Sequence, residues 1–235
     1  MGSQMLLVLQ YQTNSDMGTL KEYLVNNLKY KLPNIIDDKF DDLKVETINN
    51  VAILRINSQQ WMGVNLNTFK DVGEQYSHFE LGRGHCICTG MGFLIRESWL
   101  LNNPLVTKIT VIEKNKSVIE YHKKHNPLIL EKLNVVNCDV VDFKGECDVL
   151  LIDHYEWEKL DHIKKDISNI LENIKCDTIW FWPIERYIKD LSNKEGISYL
   201  ESYHKIIDDI NPKYFPDLNE NQLRSYCDLF FAINK

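Results

Sequence analysis

The sequence predicts an α/β protein, a Rossmann-like doubly wound and mainly parallel sheet carrying a small N-terminal α+β appendage. Two observations predict it. From Gly84 onward, short apolar runs alternate with amphipathic stretches of helical length, the pattern of parallel strands joined by right-handed crossovers. Before residue 66 the pattern is different, with short apolar runs around an Asn pair and no alternation of strand and helix. The expected division is 1–65 for the appendage and 66–235 for the sheet domain. A chain of 235 residues, 44% hydrophobic and 26% charged, is long enough to bury a core without disulfide or metal staples.

The elements follow in order. Residues 5–10 (MLLVLQ) are a short apolar run, expected as a strand. Leu20, Leu24 and Leu28 form a helical stripe within 18–31 that Pro33 stops. KVETI and VAILRI flank Asn49-Asn50 and are expected as a hairpin, because Asn tolerates positive φ. GHCICTG is then a strand ending in a glycine turn, and FLIRESWLLNN a helix. KITVIE, NVVNCD, CDVLLID and DTIWFWP are further strands, with KSVIEYHKKH and WEKLDHIKKDISNILENI as helices between them. DLFFAIN is expected as a last strand at an edge, giving a sheet of six or seven strands.

Composition excludes several classes. Ten Gly, six Pro and the apolar content rule out collagen-like and wholly disordered chains. The net charge of −7 argues against general nucleic-acid binding, whose affinity comes largely from Lys and Arg at phosphates. No run approaches the roughly 20 apolar residues that span a bilayer, and no signal peptide is visible, so no membrane partner is expected. Cys86, Cys88, Cys138, Cys147, Cys176 and Cys227 lie mostly in strand-like apolar runs and lack CxxC spacing. They read as buried reduced thiols of a cytoplasmic protein. No metal constellation stands out.

In an open α/β sheet, ligands bind beyond the carboxyl ends of the strands at the topological switch point. Those ends hold Thr89 to Gly92, then Glu113, then Cys138-Asp139, then Asp153 to Glu156. Gly90 and Gly92 let a ligand approach the backbone. Glu113, 23 residues after Gly90, can accept bonds from both hydroxyls of a ribose, and Asp139 can take the exocyclic amine of adenine. The three features in register point to an adenosine-containing cofactor. Ile95 stands where a dinucleotide fingerprint wants a third small residue, which disfavours NAD, and a P-loop motif is absent. S-adenosylmethionine needs no pyrophosphate site and is compatible with this turn.

These residues resemble a known family. The run from about Val51 to Glu156 is similar to the class I S-adenosylmethionine-dependent methyltransferase superfamily, and within it to the spermidine synthase-like branch. CTGMG (88–92) with Arg96-Glu97 resembles that branch's GGGDG turn and its Arg-Glu, and VTKITVIEKNKSVIEYHKK resembles its second strand and helix. VAILRI and EQYSHFEL are similar to its N-terminal β unit and linking helix. The resemblance implies a cofactor, S-adenosylmethionine or its decarboxylated form, held by Thr89, Gly90, Met91, Gly92, Glu113, Lys114, Cys138, Asp139 and Asp153. Two departures weigh against aminopropyl transfer. The turn aspartate is Met91, and the branch's Asp-Ser-Ser-Asp is Asp153-His154-Tyr155-Glu156. A pocket with a thioether in place of a carboxylate is poorly suited to desolvated ammonium groups.

The expected activity is therefore methyl transfer to a small-molecule acceptor, with Asp153, His154, Tyr155 and Glu156 as catalytic residues. His154 is the expected proton acceptor and Asp153 the group that orients the nucleophile or meets the methionine amine. Aminopropyl transfer, acceptor-independent cleavage of the cofactor and a non-catalytic binding module are the alternatives. The [DNS]PP[YFW] motif of nucleic-acid amino-methylating enzymes is absent. Trp180, Phe181 and Trp182 are expected mainly as core, and Trp61-Met62 as packing or as a cover over the cofactor. His122, Lys123, Lys124 and His125 are expected as a solvated helix end. The N-terminal unit is expected to pack at the strand ends or to serve as a homodimer surface.

Overall fold

The computed structural model describes residues 30–68, 70–154 and 159–231. The expected strand at 5–10, nearly all of the expected helix at 18–31, and Tyr155 and Glu156 lie outside them. Two sheets are present among the described residues. One has four antiparallel strands in sequence order: β1 (Asp38–Phe40), β2 (Leu43–Ile48), β3 (Val51–Ile56) and β4 (Gln59–Asn65). The other has five strands, all parallel: β5 (Gly84–Thr89), β6 (Val106–Ile112), β7 (Asn134–Val136), β8 (Gly145–Ile152) and β9 (Ile174–Phe181). Their spatial order is β7-β6-β5-β8-β9. The order reverses between β5 and β8, which is the switch point of a doubly wound sheet.

The hairpin turns follow from their side chains. Asn49 and Asn50 hold φ of 50° and 63° between β2 and β3, and Asn57 and Ser58 hold 50° and 68° between β3 and β4. Positive φ at both central residues makes the primed turn whose twist matches that of the flanking strands. Leu43, Val45, Ala52, Leu54 and Val64 are buried at alternate positions, so the antiparallel sheet has one inner face. The parallel strands instead carry continuous buried runs, as in Val149–Ile152 and Ile179–Phe181, because helices cover both faces.

The linking segment holds α1 (Lys70–Gly73) and α2 (Tyr76–Leu81). It is fastened by Trp99 of α3 (Ile95–Leu100), whose buried indole stacks on Phe79 at 5.0 Å and meets Tyr30 and Tyr76 edge-on or tilted. α4 (Lys116–His125) and the short α5 (Pro127–Leu130) lie between β6 and β7. α6 (Leu160–Leu171) joins β8 to β9 and buries Ile163, Ile167 and Ile170 on one stripe. After β9 come α7 (Ile184–Glu195), α8 (Tyr199–Asp208) and α9 (Glu220–Phe231).

Three expectations are corrected. Asp228–Phe231 is the last turn of α9, not a strand, so the parallel sheet has five strands among the described residues. Leu223, Tyr226, Cys227 and Phe230 bury one helical face. The run DLFFAIN read alone hides that period, since four or five apolar residues fit either structure. His122 is fully buried, not solvated. His125 and Lys124 bind Asp38 at 2.7 and 2.6 Å and so hold the antiparallel sheet's edge. Among the thiols, Cys86, Cys88 and Cys227 are buried, whereas Cys138, Cys147 and Cys176 are only partly so. No described helix is long and apolar enough to cross a membrane.

Candidate active site

A cavity of about 1100 Å³ opens over the carboxyl ends of the parallel strands. The glycine turn after β5, Glu113 after β6 and Cys138-Asp139 after β7 line one half, and Asp153-His154 after β8 with Trp182 after β9 line the other. β4 and the turn between α1 and α2 close it on the remaining side, contributing Trp61, Met62, Glu74 and Gln75.

The turn is held from three sides. Gly90 and Gly92 have φ of 74° and 46°. A Cβ on Gly90 would come within 2.4 Å of the Asp153 carbonyl oxygen, so this glycine permits the close approach of two strand ends. A Cβ on Gly92 would come within 2.8 Å of Met62 Sδ, so a methionine of the antiparallel sheet packs on the turn. Beneath it, buried Arg96 donates to the carbonyls of Gly90 (2.7 Å) and Thr89 (3.3 Å) and pairs with Glu97 at 2.5 Å. Behind it, His122 donates from Nε2 to the Gly92 carbonyl at 2.7 Å while its Nδ1 accepts from Asn126 Nδ2 at 3.1 Å. Burial pushes the His122 pKa down to about 4, which keeps the ring neutral, as this pair of bonds requires.

Glu113 is buried, and its two oxygens accept from the backbone amides of Met91 (2.9 Å) and Asn115 (2.7 Å). Burial pushes its pKa up and the two amides oppose that. Each carboxylate oxygen has a second lone pair, so the group can take two further donors. Asp139 caps the 3₁₀ turn Val140–Asp142 by accepting from Val141 N at 3.3 Å, with Lys114 Nζ at 3.9 Å from its other oxygen. Met91 is 3% exposed and presents a thioether, not a charge, to the cavity wall.

On the β8 side a buried relay fixes Asp153. His78 Nδ1 donates to Gln75 Oε1 at 2.5 Å, and Gln75 Nε2 donates to Asp153 Oδ2 at 2.8 Å. Arg96 stands 3.9 Å from the same oxygen. Burial raises the Asp153 pKa, and Arg96 and then Gln75 pull it back.

His154 is oriented differently from expectation. Thr89 Oγ1 accepts from the Asp153 amide at 3.2 Å, so its proton goes to His154 Nδ1 at 2.6 Å, and His154 Nε2 donates to Asp166 at 3.0 Å. Both ring nitrogens are engaged by the protein, and no lone pair is left for an acceptor's proton. His154 joins β8 to α6. Trp182 lines the cavity, while Trp180 and Phe181 are fully buried, and the Trp182 indole donates to Glu74 Oε2 at 3.3 Å.

All the described members of the expected cofactor set except Thr89 line the cavity, and Thr89 lies beneath it, holding His154. Asp71, Glu74 and Gln75 were missed. They sit on two short elements with no sequence period, and only the position of the linking segment over the strand ends brings them in. A cavity of this size with a backbone cradle, a doubly acceptor-capable carboxylate and a strand-end aspartate fits an adenosine carrying a short charged tail.

No protein-family model matches the sequence, and no curated protein matches it. Solved structures with a similar chain path include a Pyrococcus horikoshii protein provisionally described as an RNA methyltransferase. It is 16% identical with a TM-score of 0.43, covering 77% of this chain and 81% of that one. Spermidine synthase from Thermotoga maritima is 14% identical with a TM-score of 0.43, covering 80% and 71%. An O-methyltransferase family protein from Burkholderia thailandensis is 14% identical with a TM-score of 0.36, covering 48% and 36%. At such values the fold stands on this sheet's own strand order and parallel register.

Proposed function

We propose that the protein is an S-adenosylmethionine-dependent methyltransferase acting on a small acceptor. The observation that carries the reading is the gathering of the Gly90–Gly92 turn, Glu113 and Asp139 on one half of a single cavity at the switch point. In this reading Glu113 receives the two ribose hydroxyls and Asp139 the adenine amine. The turn amides and Asp153 meet the methionine end. The cofactor supplies an activated methyl on a sulfonium. The chain orients the acceptor against it and excludes water, and that alignment is its contribution to the rate. Tyr155 and Glu156 remain candidate catalytic residues. His154 is assigned a positioning role, because Thr89 and Asp166 occupy its nitrogens. Met91 favours methyl over aminopropyl transfer, since it leaves the turn without a carboxylate for an amine.

The test is calorimetry with S-adenosylhomocysteine, on wild type and on Glu113→Ala, followed by product analysis with labelled cofactor. Loss of two charge-assisted ribose bonds should weaken binding by about 2–4 kcal/mol. Equal affinity for the two proteins would sink the assignment of Glu113. Putrescine-dependent release of methylthioadenosine from decarboxylated cofactor would move the activity to aminopropyl transfer. For that reaction the missing turn carboxylate predicts roughly a 10- to 150-fold handicap.

A further inference from the structure

We propose that Glu74 is the residue that takes the proton released by the acceptor, its carboxyl aimed into the cavity by the Trp182 indole. This deepens the methyltransferase reading and rests on it. The cavity's other described carboxylates are each engaged, by the fold or by the cofactor in the reading above. Glu113 accepts two backbone amides, Asp71 accepts the Asn65 amide at 2.8 Å, and Glu97 is paired with Arg96. Asp153 is held by Gln75 through Oδ2 and is assigned to the methionine end, Asp139 caps its turn, and Asp42 accepts from the Asn115 side chain at 2.9 Å. Glu74 is bonded through Oε2 to Trp182, and its Oε1 takes no hydrogen bond among the described residues. His154, the base that the sequence suggested, has both nitrogens engaged.

Position supports the same role. Glu74 lies in the turn between α1 and α2, and its partner Trp182 follows β9, on the opposite side of the switch point from the glycine turn, Glu113 and Asp139. An acceptor seated against Trp182 would have this carboxyl beside it. The charged groups around Glu74 are Asp71 and Lys70 on its own segment and Asp153 with Arg96 from the strand ends. Lys159 and His162 of the α6 entry line the same cavity. Burial, and then Asp71, push the Glu74 pKa up to about 7, while Lys70 and Trp182 oppose them. A base near working pH combines a useful ionised fraction with useful basicity. In the step, the acceptor's lone pair forms the new bond to carbon as the carbon–sulfur bond breaks and its electron pair stays on sulfur. The proton on the acceptor atom passes to Glu74 Oε1 and then to water.

The test compares two ligands by calorimetry in wild type and Glu74→Gln. S-adenosylhomocysteine lacks the transferred group, whereas sinefungin carries an amine where the sulfonium methyl would be. Gln keeps the size of Glu and an acceptor for Trp182, so the fold is preserved. The expected result is unchanged affinity for S-adenosylhomocysteine and a loss of about tenfold for sinefungin, because the ammonium loses its carboxylate. In wild type the preference for sinefungin should grow as the pH rises through 7, and in the variant it should not. Trp182→Phe, which removes the aiming bond and keeps the charge, should fall between the two proteins. An unchanged ratio of the two affinities in Glu74→Gln would overturn the proposal while leaving the cofactor reading intact. Failure of both ligands to bind wild type would overturn the cofactor reading itself, and this proposal with it.

Discussion

His122 shows how one side chain sets a property of the site. The ring joins the interior of α4 to the Gly92 carbonyl and accepts from Asn126, and only the neutral form can do both. Its pKa falls from the ordinary 6.5 to about 4 on burial. The unfolded chain binds the proton more readily, so stability rises with pH across this window. The contribution is complete above about 6.5 and disappears as the pH falls toward 4, and at its full extent it is on the order of 3 kcal/mol. Glu74 and Glu185, both pushed up to about 7 chiefly by burial, act in the opposite sense, since their neutral forms suit the fold and stability is lost as the pH rises toward 7. Subtracting a His122→Asn variant isolates the histidine. Urea unfolding should show wild type losing roughly 2 kcal/mol more than the variant between pH 7 and pH 4.5. Parallel pH curves for the two proteins would mean that the ring is not held neutral.

At the scale of elements, the glycine turn separates two kinds of constraint that look alike in sequence. Gly90 has a φ of 74° and faces a backbone carbonyl at 2.4 Å from its missing Cβ, while Gly92 has a φ of 46° and faces the flexible end of Met62 at 2.8 Å. A backbone carbonyl in the next strand end cannot yield, whereas a thioether can rotate away. Gly90→Ala should therefore cost about 2–4 kcal/mol and Gly92→Ala about 1–2, read from denaturant midpoints. Equal costs would show that φ alone decides. The strands β5, β6, β8 and β9 were legible because each is a bounded apolar run, and the Asn49-Asn50 hairpin because its turn chemistry is local. The strand-end residues Gly90, Glu113 and Asp139 followed from that alternation plus the switch-point rule. What stayed hidden had no local signature. α9 required reading back from its apolar tail to Leu223, β1 and β4 are short or exposed edges, and Glu74 and Gln75 reach the cavity only through the packing of Trp99 against Tyr76 and Phe79. The sequence shows His154 at a strand end, but its partner Asp166 comes from a helix turn that no motif announces.

For the whole molecule, α4 is the joint between the two sheets, and this predicts how they respond together. Toward the cavity it holds the Gly92 carbonyl through His122, and its N-cap Asn115 gives its amide to Glu113. Toward the antiparallel sheet, Asn115 binds Asp42, Asn126 exchanges two bonds with Asn34, and the Tyr121 hydroxyl both accepts from the Ile36 amide (2.9 Å) and donates to its carbonyl (3.0 Å). Tyr121→Phe leaves both backbone groups of Ile36 without that partner at a cost of about 1–3 kcal/mol. The cost should fall on opening of the antiparallel sheet, since β5 and β8 keep all their own bonds and their buried runs. Hydrogen exchange should therefore quicken in β2 and β3 by about tenfold or more, with β5 and β8 unchanged. Because β4 and the strand ends line one cavity, a ligand seated there binds the closed arrangement alone. S-adenosylhomocysteine at 100 times its dissociation constant should then raise protection by about 2.7 kcal/mol in both sheets. Protection confined to the parallel sheet would show that the ligand does not span the cavity, and that the antiparallel sheet covers it without sharing in the binding.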